Sequence, residues 1–229
     1  MPQNLNAELD RPLRVETLAM DWSPSPSGTV WRKRVHRAGP EEAGQVTSVV
    51  RYEPHASFPM HDHPDGEEIL VLDGVFSDEH GDWPAGSYLL HPEGFRHTPF
   101  SKRGCLLFVK LRQYPGIQRQ YVACQIEDLP WQPGEDDGVE HKCLYRQEGF
   151  SDESWLERWA PGTEVAGRAY PLGAEFFVIE GALQTQDGEL NTNAWMRLPA
   201  GSTLTAASDQ GCTLYIKRGG LRYLLAEEG

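Results

Sequence analysis

Cysteine is scarce in this chain, four among 229 residues, and Cys105, Cys124, Cys143 and Cys212 form no CxxC pair. Neither a zinc ribbon nor a disulfide-stapled scaffold fits that spacing, and the four are read as reduced thiols. Long hydrophobic runs are missing too. No stretch approaches the roughly 18 apolar residues of a membrane-spanning helix, and the opening MPQNLNAELDRPLRVE lacks the apolar centre of a secretion signal. The expectation is a cytoplasmic protein with no membrane partner. Positive charge is in short supply as well: 21 basic against 34 acidic residues give a formal charge of −13, which repels phosphate backbones and anionic headgroups. Nucleic acid is therefore not expected as a partner. Apolar residues rarely recur at helical spacing, which leaves little room for long helices.

Turn formers are plentiful. The 23 glycines and 17 prolines punctuate short β-rich runs such as EILVLDGVF and CLLFVKL, separated by turn signals like DEHGDWPAGS. This is the pattern of an all-β protein, a meander or sandwich. In RGCLLFVKL, alternation sets Leu106, Phe108 and Lys110 on one face and Cys105, Leu107, Val109 and Leu111 on the other, and Lys110 marks its face as the outer one.

The chain also repeats itself. A shift of 107 residues lays HPDGEEILVLDG, beginning at His63, on YPLGAEFFVIEG, beginning at Tyr170, and without a gap lays RGCLLFVK on QGCTLYIK. Pro92 and Gly94 fall on Pro199 and Gly201, and Trp22 is loosely echoed by Trp131. Two copies of one unit are expected, residues 1–112 and 131–229, joined by a connecting segment at 113–130.

The copies differ where metal chemistry would reside. His61, His63, Glu67 and His97 of the first become Arg168, Tyr170, Ala174 and Leu204 in the second, whereas Glu68 survives as Glu175. Residues two apart on a strand face the same side, so His61 and His63 can aim two imidazoles inward, and the Pro64-Asp65-Gly66 turn can return Glu67 beside them. If the segment to His97 runs back antiparallel, a third imidazole joins. Three nitrogens and one carboxylate oxygen suit zinc, iron, manganese, nickel or copper over calcium or magnesium. The repeat assigns Glu67 to the ligand set and Glu68 to a role both copies share, a bond to a basic or backbone donor outside the pocket. His55 and His91 are read either as partners orienting ligand imidazoles or as loop residues, His80 as a hairpin tip, and His141 with Cys143 as strand residues. Cys105, matched by Cys212, is read as a core residue ahead of an oxidant-sensing thiol.

These residues resemble the two sequence motifs of the cupin superfamily: His61, His63, Glu67 and Gly74 in the first, and Gly86, Pro92, Gly94 and His97 in the second. Departures are His55 at an expected glycine and Ser101 where the family often has asparagine. The resemblance implies two tandem jelly-roll barrels, a bicupin with metal in the first barrel only. More narrowly, the stretch from TSVVRYEPHASF to LLFVKL resembles the cupin domain of ChrR-type anti-sigma factors, over about residues 20–112 and faintly in the second copy. In that family the cupin half carries zinc and takes part in the response to singlet oxygen, and a separate zinc-bearing helical domain binds the sigma factor. This chain's N-terminal residues lack the histidine and CxxC of that domain, so the metal-bearing half alone is implied. Two function classes follow. One is a regulatory or ligand-sensing protein with zinc in a closed four-ligand site. The other is a metal enzyme, such as a non-haem iron dioxygenase acting on a small organic substrate, with iron, manganese or nickel as the alternative metal. A small-molecule ligand, a regulatory protein or a second copy in a homodimer are the partners these readings allow.

Overall fold

The computed structural model of the protein describes residues 4–224 and consists, over those residues, of strands, turns and three short 3-10 segments with no α-helix. Among the described residues no helix is long and apolar enough to cross a membrane.

Met20–Asp128 form the body of one compact unit. Its sheet runs, in spatial order, Val122–Gln125, Ser87–His91, Glu67–Asp78, Cys105–Leu111, Gln45–Tyr52, Val30–Ala38 and Ser23–Pro24. Every pairing is antiparallel. The long strand Glu67–Asp78 also pairs with Gly81–Pro84 and touches Phe100–Ser101, which pairs with Ala56–Ser57. A ribbon of His61–Asp62 and Arg96–His97 completes the barrel. Inside it Val30, Ile69, Val71, Phe76, Leu107 and Val109 pack into one core.

Leu129–Arg222 with Glu8–Ala19 form the second unit. Its sheet runs Leu13–Glu16, Ala194–Leu198, Ala174–Thr185, Cys212–Arg218, Glu153–Trp159, Val139–Tyr145 and Gln132–Pro133. The repeat read in the sequence is a repeat of pairing register. Arg96↔Asp62 and His97↔His61 in the first ribbon become Thr203↔Ala169 and Leu204↔Arg168 in the second. Even the irregularities recur: a bulge between Leu106 and Leu107 of one sheet answers one between Val178 and Glu180 of the other. Gly74 and Gly181 sit there in the left-handed region, at φ 73° and 79°, a backbone that side-chain-bearing residues resist. Trp22 and Trp131 are each covered by a lysine and an arginine, Lys33 and Arg51 in one unit, Lys142 and Arg158 in the other, which accounts for their echo.

Two expectations are corrected. The compact units do not follow the spans 1–112 and 131–229. Val122–Gln125, placed in a connecting segment, is the edge strand beside Ser87–His91, and Leu13–Glu16 is the edge strand beside Ala194–Leu198 in the second unit's sheet. Each segment covers a strand edge that would otherwise expose unpaired backbone groups, a gain that chain order does not reveal. Nor does Lys110 mark a solvent face. It is 1% exposed, on the face carrying Leu70, Leu90 and Phe108, also buried, and it donates to Thr47 Oγ1 at 3.1 Å. Its counterpart Lys217 is equally buried and pairs with Asp152 at 2.8 Å. Both faces of these sheets are covered, and a lysine given its own acceptor can be buried there.

Candidate metal centre

The ribbon sets His97 directly across from His61. After His63 the chain turns sharply, with Asp65 and Gly66 both left-handed and the Gly66 N–H donating to the His63 carbonyl at 3.1 Å. The turn delivers Glu67 as the first residue of the long strand. As a result the Nε2 atoms of His63 and His97 lie 2.9 Å apart, and Glu67 Oε2 lies 3.5 Å from the first and 3.7 Å from the second. One ligand atom each from His61, His63 and His97 falls within 4.8 Å of the others, and the same holds for Glu67, His91 and His97. All but the half-buried His61 are buried.

The surrounding bonds prepare these rings as ligands. His97 Nδ1 donates to Asp78 Oδ2 at 3.2 Å, and His61 Nδ1 donates to the Pro59 carbonyl at 3.0 Å. In each ring the proton is held on Nδ1, which leaves the Nε2 lone pair directed at the cluster. Burial pushes His63 down to about 4, so it is neutral at physiological pH. Burial alone would raise the Glu67 carboxyl, but His63, His91 and His97 more than reverse this, and the group is ionised. For His97, burial is outweighed by the Asp78 hydrogen bond and the Glu67 charge, and its basicity rises. Imidazoles gathered around an ionised carboxylate, with the outer nitrogens of His61 and His97 tied down, fit a divalent transition metal.

The structure thus brings His61, His63, Glu67 and His97 together. It adds His91, which stands opposite Glu67 in the sheet, donates from Nδ1 to Glu67 Oε2 at 2.9 Å, and stacks on Phe95 at 4.2 Å. The comparison of copies held this signal: His91 becomes Leu198, so five histidine and glutamate positions are lost together. The other candidates lie elsewhere. His55 is exposed in a left-handed turn, His80 is exposed at a hairpin whose backbone is capped by Asp78, and His141 is half-buried on a strand against Trp155. Cys105 and Cys212 are buried in their respective cores, and burial pushes both thiols up to about 11. Such thiols are poor sensors of oxidants.

Glu68 points the opposite way from Glu67. It is 2% exposed and accepts from the hydroxyls of Tyr88 and Tyr114. Two of its donors are phenols, which the expectation of a basic or backbone donor did not name. Glu67→Gln is expected to weaken metal binding at least tenfold, because an amide replaces the only anionic donor. Glu68→Gln should spare the metal while lowering stability, since one phenol then faces an amide in a buried site. Metal titrations on the two variants decide it: parallel losses of affinity would show that the two glutamates do not divide these roles.

In the second unit the equivalent interior is filled with ions. Arg168, in the place of His61, donates to both oxygens of Glu157 at 2.9 and 2.7 Å, and Arg218 donates to the same carboxylate at 2.9 Å. The first unit has Val50 where Glu157 stands, as the matched sheet register shows. It keeps a cavity of about 280 Å³, lined by the three histidines and Glu67 at one end and by apolar side chains such as Val50, Phe58 and Leu107.

Two jelly-roll barrels in one chain, with a histidine and glutamate cluster inside the first, define a bicupin. The chain belongs to the ChrR Cupin-like domain family, whose model matches residues 10–115 and 119–222. No curated protein sequence matches it significantly. Among solved structures it is similar to YlbA of E. coli, at 13% identity and a TM-score of 0.70 over 94% of each chain. It is also similar to an oxalate decarboxylase of Lactobacillus farciminis in complex with formate, at 11% identity and a TM-score of 0.64 over 91% of this chain and 86% of that one. A salicylate 1,2-dioxygenase of Pseudaminobacter salicylatoxidans shares 13% identity and a TM-score of 0.61 over 78% and 71% of the two chains. At such identities the likeness shows the fold.

Proposed function

We propose that the first barrel binds one divalent transition metal through His61, His63, Glu67 and His97, and that the protein is a mononuclear metal enzyme acting on a small organic molecule admitted by the cavity. The observation that carries this reading is the cavity itself. A structural zinc site closes its shell with protein ligands and needs no adjoining space, whereas an enzyme leaves a position open toward its substrate. Here the imidazoles and Glu67 form one end of a largely apolar chamber. A redox-active metal held there would supply the Lewis acidity and electron changes that these side chains lack. Asp78 and the Pro59 carbonyl keep His97 and His61 in their ligand tautomers, His91 orients Glu67, and the Val50, Phe58 and Leu107 walls exclude water from the bound molecule. That two structurally similar bicupins are an oxalate decarboxylase and a salicylate dioxygenase agrees with this reading.

A second reading is favoured by the family match: a zinc-bearing, ligand-sensing domain that passes its state to a protein partner. Elemental analysis with X-ray absorption on the purified protein separates the two. One iron, manganese or nickel per chain, with a water-derived ligand beyond the protein donors, supports the enzyme. Tetrahedral zinc with protein donors alone overturns it in favour of the sensor. Chelation should leave both barrels folded, because each has its own apolar core, and should cost only the linked binding energy, a few kcal/mol at saturating metal. Circular dichroism of the chelated protein checks this, and loss of the β spectrum would contradict it.

A further inference from the structure

Three arginines, Arg32, Arg34 and Arg112, line the same cavity as the candidate ligands, and the first two sit on one strand. On the strand Val30–Ala38, alternation turns Arg32 and Arg34 inward with the core residue Val30. Across the sheet, Arg34 is in line with Ser48, Val109 and Ile69, and Arg32 with Val50, Leu107 and Val71. Three strand spacings put the arginines at most about 15 Å from the strand that begins with Glu67, and less where the barrel curves.

Their shared partner is the Glu42 carboxylate, while Glu41 Oε1 stands further off, 4.0 Å from Arg34 Nη1. Glu42 Oε2 accepts from Arg32 Nη1 at 2.7 Å, and Glu42 Oε1 accepts from Arg34 Nη2 at 3.0 Å, so one planar group bridges two guanidiniums. The arginine side chains are 20% and 12% exposed, but Glu42 is 48% exposed, on a turn at the surface. Arg34 Nε is buried and has no partner.

The second copy again serves as a control. Matched register puts His141 and Cys143 in the places of Arg32 and Arg34, so the arginine pair is absent where the metal-type ligands are absent. The turn bearing Glu42 is also longer by two residues. Val30 and Val139 pair with Tyr52 and Trp159, and the copies are offset by 109 residues before this turn but by 107 after it. Neither the arginines nor the extra turn is needed to build the barrel.

We propose that Arg32 and Arg34 form an anion subsite of the cavity, that Glu42 occupies it as a resident stand-in, and that the ligand is a small organic acid. Its carboxylate replaces that of Glu42, and its other end extends toward His61, His63, Glu67 and His97. The resident group indicates a carboxylate, because its two oxygens already satisfy one guanidinium each. The volume and apolar walls limit the rest of the molecule to a compact hydrocarbon body.

This deepens the enzyme reading by naming its substrate class. Calorimetric titration of the purified protein with benzoate, phenylacetate and hexanoate tests it, with their amides as neutral controls and inorganic phosphate as the alternative anion. At least one acid should bind about tenfold or more tightly than its amide and than phosphate. Glu42→Gln should tighten acid binding several-fold, because a competing carboxylate is gone. Arg34→Gln should weaken it about tenfold, with Arg32→Gln as the second variant if the first fails to fold. Metal content should be unchanged in all three. Equal binding of acid and amide, phosphate binding as tightly as the acids, no gain in Glu42→Gln, or no acid bound by that variant would each overturn the subsite. Protein that carries no metal but shows the Glu42→Gln gain would refute the metal centre and keep the subsite. Metal-loaded protein without the gain would do the reverse.

Discussion

His97→Ala is expected to reduce metal affinity by well over tenfold, and the purified variant should lose its metal on dialysis. His97 belongs to both groups of ligand atoms, the one with His61 and His63 and the one with Glu67 and His91. Losing it removes one donor and also frees Asp78, whose carboxylate is 0% exposed and bonded to the ring. Even partners outside the ligand shell cost ten- to a hundredfold when removed, and a ligand costs at least that. Asp78→Asn should therefore show an intermediate loss, because the amide can still touch Nδ1 but no longer fixes the proton there. His61→Ala and His63→Ala should resemble His97→Ala. Elemental analysis of each variant, with circular dichroism to establish that it is folded, gives the answer. Stoichiometric metal in all three histidine variants would sink the site.

Much of this centre was legible because the chain carries its own control. Comparing the copies separated Glu67 from Glu68, and the structure places them on opposite sides of the strand. Strand alternation also indicated that His61 and His63 would face one way, and the ribbon supplies the antiparallel return that a third imidazole required. What was not legible depended on what lies across the sheet. His91 was marked by its loss to Leu198 in the second copy, but its place beside Glu67 depends on the pairing of Ser87–His91 with Glu67–Asp78, in a register that sets the two opposite each other. Lys110 misled because a charged side chain was equated with solvent, and local pattern says nothing of a Thr47 hydroxyl arriving from another strand. The edge strands were missed for a related reason: Leu13–Glu16 and Val122–Gln125 are short and weakly patterned, and the sheet edge each one covers is formed far away in sequence. Long-range pairing, not propensity, decides such segments.

The ion cluster of the second unit leads to the other large effect: Arg168→Ala is expected to destabilise the protein by about 3 kcal/mol. Glu157 is 2% exposed and accepts two bonds from Arg168, one from Arg218 and one from the Trp159 indole at 3.1 Å. Removing Arg168 strips the carboxylate of its principal counter-charge while leaving it buried, which is the costly way to break such a pair. Arg218 remains, and for that reason the loss falls at the low end of the range for buried ion pairs. Replacing both partners should behave differently. The first unit manages the same position with Val50, so Glu157→Val combined with Arg168→Met exchanges the pair for apolar volume and should recover most of the stability, as buried pairs replaced by packed hydrophobic groups often do. Denaturant titration followed by tryptophan fluorescence, which reports this unit through Trp155, Trp159 and Trp195, compares the three proteins. If the single variant were as stable as the wild type, the cluster would contribute nothing to the fold. If the double variant were weaker than Arg168→Ala, the ions would be doing more than filling a space that the first barrel leaves open for a ligand.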